Sequence, residues 1–156
     1  GKILALAGMN EDKYVSHIPS YGAEMRGGTA NCSVIVSDDE VASPVIEKPD
    51  VVVALNKPSM TKFEKWLKPG GLLIYNSSLI DIKPVRTDIK TIALPANEIA
   101  AETDNPRGSN MVALGCLAKV CKGMISGVKP FEYAFDEAIS ARCTIKEEIR
   151  KTKKYE

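Results

Sequence analysis

One segment constrains the fold of this chain more than any other, the stretch from Asp50 to Ser78. Val51-Val52-Val53-Ala54-Leu55 is an unbroken, mostly β-branched apolar run, the pattern of a strand buried on both faces. Asn56-Lys57-Pro58-Ser59 follows, where Pro58 or Ser59 can open a helix. Met60, Phe63, Trp66 and Leu67 then recur at helical spacing, and Pro69-Gly70-Gly71 closes the helix. Leu72-Leu73-Ile74-Tyr75 is a second buried strand. A strand, helix and strand within about 30 residues form a βαβ unit, and such units build parallel sheets.

The flanking sequence extends this pattern. Thr91-Ile92-Ala93-Leu94 reads as a further strand stopped by Pro95, Asn31 to Ser37 as another, and Lys13 to Ile18 as a shorter one. Ser109 can cap a helix with Met111, Leu114, Leu117, Ala118, Cys121 and Ile125 on its apolar side. Pro130 begins a helix carrying Phe131, Phe135, Ala138 and Ile139, and Thr144-x-x-Glu147 is a capping box for a final charged helix. The expected fold is therefore an α/β domain of three αβα layers with a mainly parallel sheet and a helical C-terminal third. Its 156 residues suit a single domain, 1–156, with a helical extension from about 128. Ile3-Leu4-Ala5-Leu6-Ala7 reads as the end of an apolar helix with no strand before it. Open α/β domains begin with a strand, so a first strand upstream of Gly1 is expected to be missing here.

Composition removes several functions. With 21 Lys+Arg against 20 Asp+Glu, the net charge of +1 gives no electrostatic case for nucleic acid or an anionic membrane. No apolar run approaches 18 residues, and the first residues lack a signal-peptide layout. One histidine, His17, cannot build a multi-histidine metal site. Cys32, Cys116, Cys121 and Cys143 contain no C-x-x-C pair, which fits reduced thiols in a cytoplasm. Cys116 and Cys121 would sit about 140° apart on a helix and would not face one ligand together.

Chemistry in open α/β sheets gathers at the carboxyl ends of the strands. Three strands here end in or near an amide: Asn56, Asn76 and Asn97. With Ser59, Ser77 and Ser78 they would make a neutral polar rim, suited to hydrogen bonding a ligand or a partner. Asparagine is equally a turn residue that bonds its own backbone, so a purely structural role stays open. The densest stretch is 20–31, Ser-Tyr-Gly-Ala-Glu-Met-Arg-Gly-Gly-Thr-Ala-Asn. Gly22 to Thr29 nearly matches the phosphate-loop pattern, but Gly28 stands where the lysine should be, and a strand follows where a helix should. Glu24 and Arg26 among these glycines would pair with each other or face a partner. No nucleophile and base converge in the sequence. A stand-alone nucleotide- or CoA-binding module and a dimerisation domain built on the small-residue helix at 109–125 both remain compatible with these residues.

Residues 20–34, Ser-Tyr-Gly-Ala-Glu-Met-Arg-Gly-Gly-Thr-Ala-Asn-Cys-Ser-Val, resemble the hallmark of the gamma subunit of 2-oxoacid:ferredoxin oxidoreductases. Weaker landmarks follow in family order: Ser43-Pro44, Ala54-Leu55-Asn56, Pro58-Ser59, Pro69-Gly70-Gly71, Tyr75-Asn76-Ser77-Ser78, Pro95-Ala96-Asn97 and Asn110 to Gly115. The resemblance covers about residues 1–125 and implies a Rossmann-like domain within a complex that oxidatively decarboxylates a 2-oxoacid to an acyl-CoA and passes electrons to ferredoxin. It implies alpha and beta partners, and in some complexes a delta or ferredoxin-like one, that carry thiamine diphosphate and iron–sulfur clusters. It leaves this chain with no firmly bound cofactor and no catalytic residue, and with CoA as the one cofactor it could touch. The family's Gly-Gly-Gln-Gly loop, which helps hold CoA, does not occur here; Gly1 to Ala5 resembles the helix after it. Tyr21, Gly22, Glu24, Arg26, Gly27, Gly28 and Asn31 become the expected loop for subunit or cofactor contact. The Glu-Met-Arg-Gly-Gly-Thr-Ala-Asn-Cys version is closer to 2-oxoglutarate or branched-chain enzymes than to pyruvate enzymes, with 2-oxoglutarate preferred.

Overall fold

The computed structural model describes residues 1–21 and 30–124. Among them the chain forms two compact units, Gly1–Ile46 and Glu47–Gly123.

The first unit is a helix on a hairpin. Helix α1 (Lys2–Asn10) confirms the apolar helix expected at the start. It packs on strands β1 (Tyr14–Tyr21) and β2 (Ala30–Ser37). These pair antiparallel over their whole length, from Tyr14 opposite Ser37 to Tyr21 opposite Ala30. Strand β1 is thus longer than the segment 13–18 suggested. Pro19 hid the extension, because proline argues against a strand interior; in a two-stranded pair both strands are edges, where proline is tolerated. Gly8 sets the closeness of helix and hairpin. A β-carbon there would lie 2.9 Å from Val15 Cγ2 and 3.0 Å from Val36 Cγ1, so a larger residue would force α1 or these valines to shift.

The second unit holds the parallel sheet, in the order β3 (Val51–Ala54), β4 (Leu72–Asn76), β5 (Lys90–Leu94). The βαβ unit read from the sequence is present, with β3 and β4 parallel and paired Val51 to Leu72 through Ala54 to Tyr75. Its helix starts one residue earlier than Pro58. Asn56 is the cap, its side chain accepting from the Ser59 N–H at 2.9 Å, and helix α2 runs Lys57–Phe63 before tightening into a 3-10 turn, Glu64–Trp66. Pro58 sits in the first turn, where its missing N–H would have no helical partner anyway. Met60 and Leu67 are buried as expected, joining Ala54, Leu73 and Ile80 in one apolar cluster. Trp66, expected on the same buried stripe, is 46% exposed, because the 3-10 turn rotates it out of α-helical register.

The Gly70-Gly71 turn brings the chain back tightly. The Gly71 N–H donates to the Lys68 carbonyl at 2.9 Å, and a β-carbon at Gly71 would meet that oxygen at 2.9 Å and the Asp50 carbonyl at 3.0 Å. From β4 to β5 the chain crosses through residues 77–89 without a helix. Arg86 fastens this crossover. Its side chain donates to the carbonyls of Glu64 (3.1 Å) and Leu67 (2.6 Å), closing the C-terminal end of the helical segment, and is paired with Asp88. Its backbone N–H donates to the buried Glu64 carboxylate at 2.7 Å. Asp88 is held below the ordinary carboxylate range by Arg86, and Asp81 by its pairing with Lys57.

Two helices complete the unit, α3 (Ala96–Glu102) and α4 (Ser109–Met124). Ser109 is the first residue of α4 rather than the residue before it. Of the expected stripe Leu117 and Cys121 are buried but Met111, Leu114 and Ala118 are only half-buried, and a stripe of Val112, Ala113 and Cys116 is buried instead. Both stripes have helical spacing, and periodicity alone does not separate them. Ile125 and the helices expected from Pro130 onward lie outside the described residues. Burial raises the thiols of Cys116 and Cys121 above the usual cysteine range, whereas Cys32 is exposed on β2. In the native protein, iodoacetamide at pH 8 should label Cys32 at least tenfold faster than Cys116 or Cys121, as read by peptide mass spectrometry. Equal rates would mean that α4 does not pack as described.

Candidate functional site

The carboxyl ends of the parallel strands carry the polar rim, and its centre is Asn76. This last residue of β4 is 2% exposed. Its side-chain amide donates to the Asn97 side-chain carbonyl at 3.0 Å. Its own side-chain carbonyl accepts from the backbone N–H groups of Ser78 and Ala96, each at 3.2 Å. Ser78 extends the network, donating its hydroxyl to the Glu98 carboxylate and accepting from the Asn97 N–H at 3.1 Å. The Ser77 N–H donates to the Leu94 carbonyl at 2.9 Å. The end of β4 is thus tied to the first turn of α3 by side chains, and the residue after it to the end of β5 by a backbone bond.

Of the rim residues named from sequence, the structure brings Asn76, Ser77, Ser78 and Asn97 together. Asn97 belongs to the first turn of α3 rather than to a strand end, because the residues after Pro95 turn at once into helix. Asn56 and Ser59 form a separate pair at the start of α2, with the Asn56 side chain engaged in its cap. Glu98 belongs to the cluster and was missed. The only signal for it was an acidic residue in the first turn of a helix, where carboxylates are favourable anyway.

In the other unit, Tyr21 ends β1 and Asn31, half-buried, lies near the start of β2 opposite Ser20. Residues 22–29 connect these strands. Gly22, Glu24, Arg26, Gly27 and Gly28 lie outside the described residues. A phosphate loop joins a strand to a helix, so a connection between antiparallel strands is a different context, as the missing lysine already argued. His17 is exposed on β1. Among the described residues, no three His, Cys, Asp or Glu side chains gather as a metal set, and no helix is long and apolar enough to cross a membrane.

A family model described as pyruvate ferredoxin/flavodoxin oxidoreductase matches residues 1–152. The chain belongs to this family. Among the family's members, subunit VorA of ketoisovalerate oxidoreductase from Methanothermobacter thermautotrophicus is 36% identical over 96% of this chain and 30% of its own length. Subunit KorC of 2-oxoglutarate synthase from Methanocaldococcus jannaschii is 30% identical over 73% of this chain and 62% of its own. The crystal structure of a keto/oxoacid ferredoxin oxidoreductase gamma subunit from Geobacter sulfurreducens superposes with a TM-score of 0.73 at 28% identity, covering 98% of this chain and 85% of that one. The resemblance carried by residues 20–34 is therefore correct, and the mixed α/β fold with its parallel sheet is that of the oxidoreductase gamma subunits. The chain spans under a third of the ketoisovalerate relative and about three fifths of the 2-oxoglutarate one.

Proposed function

We propose that this chain is the gamma component of a cytoplasmic 2-oxoacid:ferredoxin oxidoreductase. The complex would convert a 2-oxoacid and CoA to an acyl-CoA and carbon dioxide, with the two electrons passed to ferredoxin. The observation that carries this reading is the likeness to the Geobacter sulfurreducens gamma subunit over nearly the whole chain. In this reading the alpha and beta partners hold the thiamine diphosphate and iron–sulfur clusters, and the gamma chain shapes the assembly and the approach of CoA. Its polar groups fit a supporting role: those of the Asn76 network are spent on holding β4, β5 and α3 to one another. The hairpin segment with Tyr21, Gly22, Glu24, Arg26, Gly27, Gly28 and Asn31 is its contact loop, toward a partner subunit or CoA.

The substrate is argued from two observations. The motif at 20–34 and the 2-oxoglutarate relative favour 2-oxoglutarate. The higher identity to the ketoisovalerate relative favours a branched-chain 2-oxoacid as a second reading.

The test is reconstitution. Co-expression of the full-length chain with its neighbouring oxidoreductase chains should give CoA-dependent dye reduction with one of the two acids, and omitting the chain should abolish it. An active complex that loses nothing without this chain would sink the proposal. Arg26→Ala in the reconstituted complex should lower turnover at least tenfold while shifting the melting temperature of the isolated chain by no more than about 2 °C, a change small against the several degrees per kcal/mol of a domain this size. Parallel loss of activity and folding would make the loop purely structural.

A further inference from the structure

The helical segment from Lys57 to Trp66 presents an aromatic and basic surface that the Asn76 network does not involve. Trp66 is 46% exposed, its ring edge-on to Phe63 with centroids 5.2 Å apart at 90°. The Lys62 ammonium lies 5.1 Å from the Phe63 ring centroid. Lys62 and Lys65 take part in none of the ion pairs among the described residues, whereas Lys57 and Lys68 are bridged to Asp81 and Asp50. Glu64, the one acidic residue of the segment, is turned inward onto the Arg86 backbone. The surface is therefore a tryptophan held edge-on to Phe63, on a segment whose Lys62 and Lys65 stand outside every ion pair among the described residues.

Resting on the gamma-component reading above, we infer that this surface docks an acidic patch on the larger catalytic chain of the same oxidoreductase. Three observations choose that occupant. The charge is one-sided, because the carboxylate that would balance it faces inward, so a complementary surface must be acidic. Tryptophan is enriched among the residues that dominate interface energetics, and here it is already held by Phe63, so little freedom is lost on docking. The ketoisovalerate relative matches this chain with only 30% of its length, so there the equivalent domain shares one polypeptide with more than twice as much further chain, a partner always at hand. A second copy of this chain is disfavoured, because a two-fold contact through this patch would set Lys62 and Lys65 against their own equivalents.

The experiment uses the reconstituted complex and two variants, Trp66→Ala and the charge reversal Lys62→Glu/Lys65→Glu. Association of the full-length chain with the purified catalytic chain is followed by interferometry at 50 and 300 mM NaCl. Each variant should bind at least tenfold more weakly at 50 mM, and the double variant should lose most of the salt dependence seen with the unaltered chain. The charge reversal touches only exposed side chains, so its circular dichroism and melting should match the parent, and it keeps the test valid if Trp66→Ala unfolds. Variants that bind within twofold of the parent overturn this inference while leaving the gamma-component reading standing. Failure of the unaltered chain to bind at all overturns both.

Discussion

Asn76→Ala should destabilise the protein by about 3 kcal/mol, more than any other single change at the polar rim. Three hydrogen bonds disappear together, and Ala96, whose residue is fully buried, keeps an N–H with no acceptor. Leaving a buried donor without an acceptor costs about 1–3 kcal/mol, a large part of the roughly 5–15 kcal/mol that holds a typical domain together. Asn97→Ala should cost less, about 1–2 kcal/mol, since it removes one bond and leaves the Asn76 amide without that acceptor, but opens a half-buried position that water can reach. Asn76→Asp should fall between them. Its carboxylate still accepts from Ser78 and Ala96, and the Asn97 amide can turn to donate, but a charge then sits where burial disfavours it. Urea denaturation of the full chain reads all three. A loss below 1 kcal/mol for Asn76→Ala would show that the network is not what fastens α3 to the sheet.

Leu73→Ala should cost about 3–4 kcal/mol by the same measurement. Leu73 lies on the central strand and is completely buried, packed with Ala54 from β3, Met60 and Leu67 from the helical segment, and Ile80 from the crossover. Those neighbours belong to three different pieces of chain, each held elsewhere by backbone bonds, so they cannot close around the lost methyl groups. The resulting cavity adds its own penalty to the lost transfer energy. Val53→Ala, on β3 but 38% exposed, should cost less than about 1.5 kcal/mol, because much of its side chain already meets water. If the two substitutions cost the same, the apolar cluster under the helical segment is not the core of its unit.

The sequence spoke most clearly where one residue type had one physical meaning. The βαβ segment was legible because β-branched runs, a helical apolar repeat and a Pro-Gly-Gly turn agreed with one another. The family motif at 20–34 was legible as a pattern of residue types, independent of where the chain places it. Other features needed partners that are distant in sequence. Nothing local indicated that 13–21 and 30–37 would pair antiparallel rather than join a parallel sheet, because alternation and apolar runs do not encode strand direction. The buried stripe of α4 shares Leu117 and Cys121 with the expected one but otherwise takes in Val112, Ala113 and Cys116, since small residues such as Ala113, Gly115 and Ala118 carry little hydropathic contrast. At the rim, the Asn and Ser residues stood out for their polarity. That Asn76 is buried and saturated, and that Glu98 joins it, follows only from β4 and α3 lying side by side.

The crossover from β4 to β5 has a consequence for how the sheet comes together. Val51 meets Leu72 across a segment that a helix shortens and stiffens, but Leu72 meets Lys90 across coil. Closing a flexible loop costs entropy before any strand contact repays it. The β3–α2–β4 half carries its own stiff connection, whereas β5 depends on Arg86 and Glu64 to hold the intervening chain in place. One polar clasp thus secures the strand whose end leads directly into Asn97.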